Sequence, residues 1–219
     1  MIFQLLKLEW RLSRGSLAVL MKLGFFALLL TILFYIALAQ GMGEAARYAT
    51  QVVWIILVMG GILQCNRSFD SERNGNVLDG LRMIPGAISA LYIAKWVANL
   101  VTLWILLGLL SVMIMIFFNL AADQLNAAFF IPAALGLVGL TAIGTLFSGM
   151  VRMHRARDMV LPVLLIPIIL PLALMVSRWY AAISIGEGMW DVAWGHLVVA
   201  TDILFFASAW LLFPSVVKD

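Results

Sequence analysis

Six long apolar runs divide the chain, and each is long enough to cross a lipid bilayer as a helix, for which about 20 apolar residues are needed. The runs extend over residues 23–40, 48–64, 89–118, 129–151, 159–177 and 196–213. Long runs with almost no charge favour helices over a membrane barrel, whose strands alternate apolar and polar residues in short segments. The pattern therefore predicts an all-α integral membrane protein with six transmembrane helices in a single domain over residues 1–219.

Residues 1–14 have a different pattern. Gln4, Lys7, Arg11 and Arg14 share one helical face, and Trp10 with Phe and Leu side chains covers most of the rest. A basic face opposite Trp, Phe and Leu is typical of a helix that lies in the membrane interface. We therefore expect an N-terminal amphipathic helix. No small-residue cleavage site follows the first apolar run, so we expect no cleavable signal peptide.

The interval from Asn66 to Ala87, which we call the central loop, is the longest polar stretch and contains the pattern of a short helix. Asn76 suits an N-cap, Asp79 places a carboxylate at the positive helix end, and Pro85 stops the helix. Its apolar face is formed by Val77, Leu78, Leu81 and Ile84. Such a helix between two spans suits docking on a soluble partner, and an ordinary cytoplasmic loop on the lipid headgroups is the alternative.

Two spans have compositions that predict how they pack. The fourth contains glycines, which let neighbouring helices approach closely, at Gly136, Gly139, Gly144 and Gly149. The fifth contains Pro162, Pro167 and Pro171, each of which removes a backbone donor. The freed carbonyls need neighbours or water, so we expect the fifth span to face protein.

Two smaller features bear on where the spans end. Lys95 lies inside the third run, and we expect it to reach the cytoplasmic headgroups from a tilted or protruding helix. Residues 178–195 mix four Trp and Tyr side chains with Glu187 and Asp191. This segment is predicted to be an interfacial aromatic belt or a shallow re-entrant hairpin.

Composition supports a membrane protein, since 64% of residues are hydrophobic, 11% are charged and the mean hydropathy is +1.08. A soluble domain is typically about 45–50% apolar and about 25% charged, so a soluble fold is excluded. The only cysteine, Cys65, excludes an internal disulfide framework.

The basic residues predict the orientation. If both termini are cytoplasmic, twelve of the 14 Lys and Arg residues lie on the cytoplasmic side, and only Arg47 and Arg178 lie outside. Cytoplasmic loops of membrane proteins carry an excess of Lys and Arg. We therefore expect both termini and the central loop to be cytoplasmic.

Residues that carry chemistry are few. His196, at the outer end of the last span, is either a metal or haem-iron ligand or an interfacial histidine. Asp202 is the one carboxylate inside an apolar run, and such a group is a functional candidate; the alternative is a protonated or Thr201-bonded group. No nucleotide, nucleophile or zinc motif is present. We expect no catalytic residue, no bound metal and no enzymatic activity from this chain alone.

The central loop resembles that of the ABC-2 type of ABC-transporter permease. That pattern has a glutamate, a glycine, a serine or threonine, an acidic residue and a leucine at fixed spacing, then a proline. The matching positions are Glu72, Asp79, Leu81 and Pro85. Asn76 replaces the glycine and Val77 replaces the serine or threonine. Asn best replaces Gly at a left-handed or N-cap position, so the turn can be kept.

The whole chain is similar to the CcmB family of the cytochrome c maturation system. The likeness is carried by Val52-Val53-Trp54, Phe69 followed by Glu72, Ala94-Lys95, and the proline-rich run from Leu161 to Pro171. The resemblance implies a homodimeric permease in the bacterial inner membrane that pairs with a separate CcmA-like ATPase and associates with CcmC-, CcmD- and CcmE-like proteins. It implies that the partner uses ATP and that haem is the transported or handled ligand, with no nucleic-acid partner.

In this interpretation the central loop couples the two subunits. Phe69, Leu78 and Leu81 would fill a groove on the ATPase, Asn76 would cap the helix, and Glu72, Asp79 and Arg82 would set the register. Two alternatives stay open: an ABC-2 exporter for a lipid or drug, and a scaffold that only anchors maturation partners.

Overall fold

The computed structural model describes residues 16–38, 48–69, 86–151 and 157–218. Its long helices are α1 (Ser16–Leu38), α2 (Ala49–Arg67), α3 (Ala87–Phe117), α4 (Ala127–Val151), α5 (Arg157–Ser184) and α6 (Ala193–Lys218). Six of the described helices are long and apolar enough to cross a membrane. The all-α architecture with six spans is thus confirmed, whereas the expected N-terminal helix and the helix over residues 76–84 lie outside the described residues.

The end of α5 differs from the expectation. The helix continues through Trp179 and Tyr180 to Ser184, and a short turn that includes Gly186 at φ 90° leads into α6. The prediction of a re-entrant hairpin is therefore wrong. Both aromatic side chains are buried, at 0% and 3% exposure, so they are held by packing inside the bundle, which extends the helix beyond the apolar run.

The helix α4 is central and packs against α2, α3, α5 and α6. Its glycines allow this. A Cβ atom added at Gly136 would come within 2.6 Å of the Trp54 ring, and one at Gly149 would come within 2.7 Å of the Phe213 ring. Real Cβ contacts are longer, so only glycine lets α2 and α6 lie this close to α4. The predicted close approach of helices at these glycines is confirmed.

The hydroxyl of Tyr180 replaces one backbone hydrogen bond of α4 beside Pro132. The Tyr180 hydroxyl on α5 accepts a 3.2 Å hydrogen bond from the amide of Ala133 and donates a 2.6 Å bond to the carbonyl of Phe129. In a regular helix this amide would bond that carbonyl directly. The hydroxyl therefore takes the place of one backbone bond and ties α5 to α4.

Two of the three prolines of α5 lie on its outward face. Pro167 and Pro171 are exposed, as is Val163 at 69%, whereas Leu165 and Leu172 are fully buried on the opposite face. The expectation that the fifth span faces protein holds for its leucine face, which packs on the bundle, whereas the face with Pro167 and Pro171 points away from the rest of the chain. The buried leucine face, not the position of the prolines, determines which side of α5 packs on the bundle.

Candidate functional site at the base of the central loop

Where α2 ends and α3 begins, the two ends of the central loop enter the bundle; we call this side the loop end. Phe69, the last described residue before the gap, is 0% exposed. Its ring lies 5.9 Å from the ring of Phe213 on α6. Phe69 is thus part of the interior of the bundle, and in this structure it has no surface to offer to a partner.

The other loop residues named above lie outside the described residues. They are Glu72, Asn76, Leu78, Asp79, Leu81 and Arg82. Their contribution to a docking surface stays a prediction.

Lys95 lies against Phe69 in the interior of the bundle. It is 3% exposed, and its ammonium nitrogen is 5.4 Å from the centre of the Phe69 ring. Such an arrangement is a cation–π interaction, which is stronger when the cation is removed from water. The expectation that Lys95 reaches the headgroups is wrong. The helix α3 starts about 12 Å before Lys95, so the side chain is level with the interior of the bundle.

One turn further along α3, Asn99 joins three segments. Its Nδ2 group donates 3.0 Å hydrogen bonds to the hydroxyls of Ser68 and Thr145, and its Oδ1 accepts a 3.3 Å bond from Gln64. Asn99 is 2% exposed and Thr145 is fully buried. Hydrogen bonds in such a low-dielectric interior are strong and position their partners well. The amide therefore links α3 to both α2 and α4 at the loop end.

A second contact joins α2 to α4 beside this cluster. The hydroxyl of Ser148 donates a 2.6 Å hydrogen bond to the carbonyl of Cys65. A Cβ atom at Gly144 would lie 2.5 Å from the Cys65 sulfur. The end of α2 is thus held on α4 by both a hydrogen bond and close packing.

Aromatic side chains join α3 to α6 on the other side. The Tyr92 ring lies 5.1 Å from Phe213, and the Trp96 ring lies 4.6 Å from Phe206. The Tyr92 hydroxyl donates a 3.1 Å bond to the carbonyl of Ala142 on α4. The loop base, defined here as Gln64, Ser68, Phe69, Lys95, Asn99 and Thr145, therefore connects to α2, α3, α4 and α6. A displacement of the loop ends would move these helices together.

Sequence reasoning did not identify this polar cluster. The available signal was the presence of Asn99 and Thr145 inside otherwise apolar runs, since polar residues in transmembrane helices often bond across helices. Which polar residues meet depends on helix rotation, which the sequence pattern did not resolve.

Asp202 lies elsewhere in the bundle, on the face of α6 that packs against α4. It is 5% exposed, and a Cβ atom at Gly139 would collide with its carboxylate. Neither carboxylate oxygen meets a hydrogen-bond partner of acceptable geometry among the described residues. Thr201 donates to the carbonyl of Leu197 at 2.8 Å and faces Met175, so it does not bond Asp202. The Thr201-bonded interpretation is wrong, and the carboxylate keeps its status as a candidate.

His196 lies one turn into α6 and is exposed. Its ring is 6.0 Å from the ring of Trp190, which in turn lies 5.3 Å from Trp179. Its Nδ1 atom is 3.4 Å from the carbonyl of Val192. Because His196 points outward and Asp202 points into the bundle, the structure does not bring the two together. In the part of the chain described, no three His, Cys, Asp or Glu side chains cluster as a metal site.

These features together define a class of membrane protein. Of the six membrane-crossing helices, four pack around the glycine-rich α4, and the base of one polar loop connects to α2, α3, α4 and α6, as suits a membrane permease. A profile of the CcmB protein family matches residues 1–214, and the chain belongs to this family. It is accordingly a multi-pass membrane protein of haem transport in cytochrome c maturation. No curated protein matches the chain.

Proposed function

We propose that the chain is the permease subunit of an ABC transporter complex and converts ATP hydrolysis by a CcmA-like partner into movement of its transmembrane helices. The observation that carries the proposal is the construction of the loop base. The Asn99 amide, bonded to Ser68 and Thr145, connects the loop ends to the central helix. Membership of the CcmB family supports the pairing with an ATPase.

Docking would use the part of the central loop beyond Phe69. Leu78 and Leu81 fill a groove on the ATPase, Asn76 caps the helix, and Glu72, Asp79 and Arg82 set the register by charge. Phe69 and Lys95 act from inside as the anchor of the loop. Closure of the ATPase pair pushes the helix, and the rigid ends of α2 and α3 pass the displacement through Asn99 to α4.

The complex we propose is a homodimer of this chain with two ATPase subunits and CcmC-, CcmD- and CcmE-like proteins. It lies in the bacterial inner membrane, with both termini and the central loop in the cytoplasm, as the distribution of Lys and Arg supports. The chain itself supplies no catalytic group and holds no resident cofactor. The complex either moves haem or releases a haem-loaded chaperone.

A pull-down of this chain co-expressed with the candidate ATPase tests the proposal. Leu81→Asp places a charge on the apolar face of the helix and should abolish co-purification. Asn74→Asp adds a comparable charge outside that face and should leave co-purification unchanged. If Leu81→Asp still co-purifies with the ATPase, the docking surface lies elsewhere on the chain. No binding by the wild-type chain would favour a scaffold that works without an ATPase.

A further inference from the structure

A groove opens between α1 and α2 at the loop end of the bundle. It has a volume of about 180 Å³, and its lining comes from both helices. Lys22 and Arg67 contribute two basic side chains, Gln64 contributes an amide, and Leu23, Phe26 and Leu63 are among the apolar side chains. Two cations above an apolar wall match the two parts of a phospholipid, a charged headgroup and a hydrocarbon chain.

The two basic side chains are free to bind an anion. Lys22 and Arg67 are exposed, and neither forms an ion pair in the described part of the chain. The next helix turns present apolar surface outward, with Phe25 63% exposed and Leu63 38% exposed. An acyl chain can therefore lie along α1 and α2 while its phosphate meets the two cations.

The orientation of the Gln64 amide beside the groove is fixed by its bond to Asn99. Both Nδ2 bonds of Asn99 are donated to hydroxyls, so its Oδ1 must accept from Gln64, and this fixes which way the Gln64 amide points. The remaining oxygen, Oε1, is buried and accepts no hydrogen bond from the residues that the structure describes. Because this oxygen has almost no accessible surface, a ligand in the groove meets other atoms of the Gln64 side chain.

We propose that this groove binds an anionic phospholipid of the leaflet at the loop end. The phosphate lies between Lys22 and Arg67, and the acyl chains lie along the apolar side chains of α1 and α2. The ammonium of phosphatidylethanolamine is disfavoured because two cations repel it. The groove is smaller than a typical ligand pocket of about 300–1,000 Å³, which fits a headgroup whose acyl chains stay in the bilayer.

Gln64 also connects the groove to the loop base. Its amide faces the groove on one side and bonds Asn99 of the loop base on the other. A bound headgroup would therefore contact the same polar cluster that anchors the central loop. This site does not depend on the proposed function, since it requires only the groove and a membrane.

Native mass spectrometry of the full-length chain, titrated with phosphatidylglycerol, phosphatidic acid and phosphatidylcholine, tests the proposal. The wild-type chain should bind the anionic phosphatidylglycerol and phosphatidic acid more tightly than the zwitterionic phosphatidylcholine. Lys22→Gln with Arg67→Gln should weaken phosphatidylglycerol about thirtyfold, at roughly fivefold for each basic side chain near the membrane surface. Both side chains are exposed, so this variant should fold.

Arg155→Gln with Arg157→Gln is the matched control, because it removes the same charge from another loop on the same predicted side. It should bind phosphatidylglycerol as the wild type does. Equal loss in both double variants, or equal binding of phosphatidylcholine by the wild type, would overturn the proposal. Competition by free glycerol phosphate at the concentration of the lipid would also overturn it, because the site would then recognise a soluble phosphate ester without its acyl chains.

Discussion

The amide of Asn99 on α3 donates a 3.0 Å hydrogen bond to the hydroxyl of Thr145 on α4, with both side chains buried. This bond joins a helix that leaves the central loop to the helix at the centre of the bundle. The same amide group also holds Ser68, at the other end of the loop. One side chain therefore connects both loop ends to α4.

Replacing Asn99 with Leu should separate docking from coupling. The change removes the donor to two hydroxyls and the acceptor for Gln64, and unsatisfied buried groups cost about 1–3 kcal/mol each. We expect the unfolding temperature to fall, the ATPase to remain bound, and haem delivery to c-type cytochromes to decline. Thr102→Val is the control, since Thr102 bonds only the carbonyl of Ala98 in its own helix. Normal delivery by Asn99→Leu would exclude this route.

Alanine at Gly144 should push α4 away from α2. The new Cβ atom would lie 2.5 Å from the Cys65 sulfur, and overpacking of this kind typically costs about 1–3 kcal/mol. Gly108→Ala on α3 meets nothing within 4 Å and should be neutral or slightly stabilising in thermal unfolding. Adding Cys65→Ala to Gly144→Ala removes the sulfur and should recover part of the loss. If Gly144→Ala alone is as stable as Gly108→Ala, the close approach is not required.

Asp202→Asn should raise stability and lower function. A carboxylate in the membrane interior without a partner of good geometry is costly, and an amide of the same shape removes much of that cost, by roughly 1 kcal/mol or more. Haem delivery should fall if the charge itself is used. Asp191→Asn, in the exposed outer turn, should change neither property. If the Asp202→Asn variant retains haem delivery, the role of Asp202 is limited to packing against Gly139.

Tyr180→Phe should destabilise α4 beside Pro132. The change removes the hydroxyl that accepts from the amide of Ala133 and donates to the carbonyl of Phe129, leaving two buried backbone groups to find each other. We expect a loss of about 1–3 kcal/mol in unfolding experiments. Tyr35→Phe keeps the ring contacts with Phe117 and Phe118 and should be nearly neutral. Equal stability of both variants would show that the helix closes this gap by itself.

The apolar pattern alone was sufficient for the number and order of the spans. Burial of backbone groups in hydrocarbon leaves few options besides helices of bilayer length, so the runs in the sequence map closely onto α1 to α6. The pattern was less reliable at helix ends. The helix α5 extends past its apolar run because Trp179 and Tyr180 pack inside the bundle, a contact between segments that no local pattern contains.

The glycines show that local composition can predict where helices pack closely. Their enrichment predicted close packing around the fourth span, and the structure confirms it at Gly136, Gly144 and Gly149. The prolines led us to expect a fifth span that faces protein, but Pro167 and Pro171 are exposed and the buried face of that helix is formed by leucines. Composition indicates what a helix can tolerate, whereas its rotation is set by the neighbours it meets.

By itself the sequence determined the membrane environment, the helical class, the location of the polar loop and the family, since each depends on local hydrophobicity or on ordered motifs along the chain. Only the tertiary structure decided which polar residues meet. Lys95 lies under Phe69 and not at the headgroups, Asn99 bonds Thr145, and Asp202 lies against Gly139. These contacts join residues far apart in the chain, and helix rotation and depth bring them together through packing of whole faces.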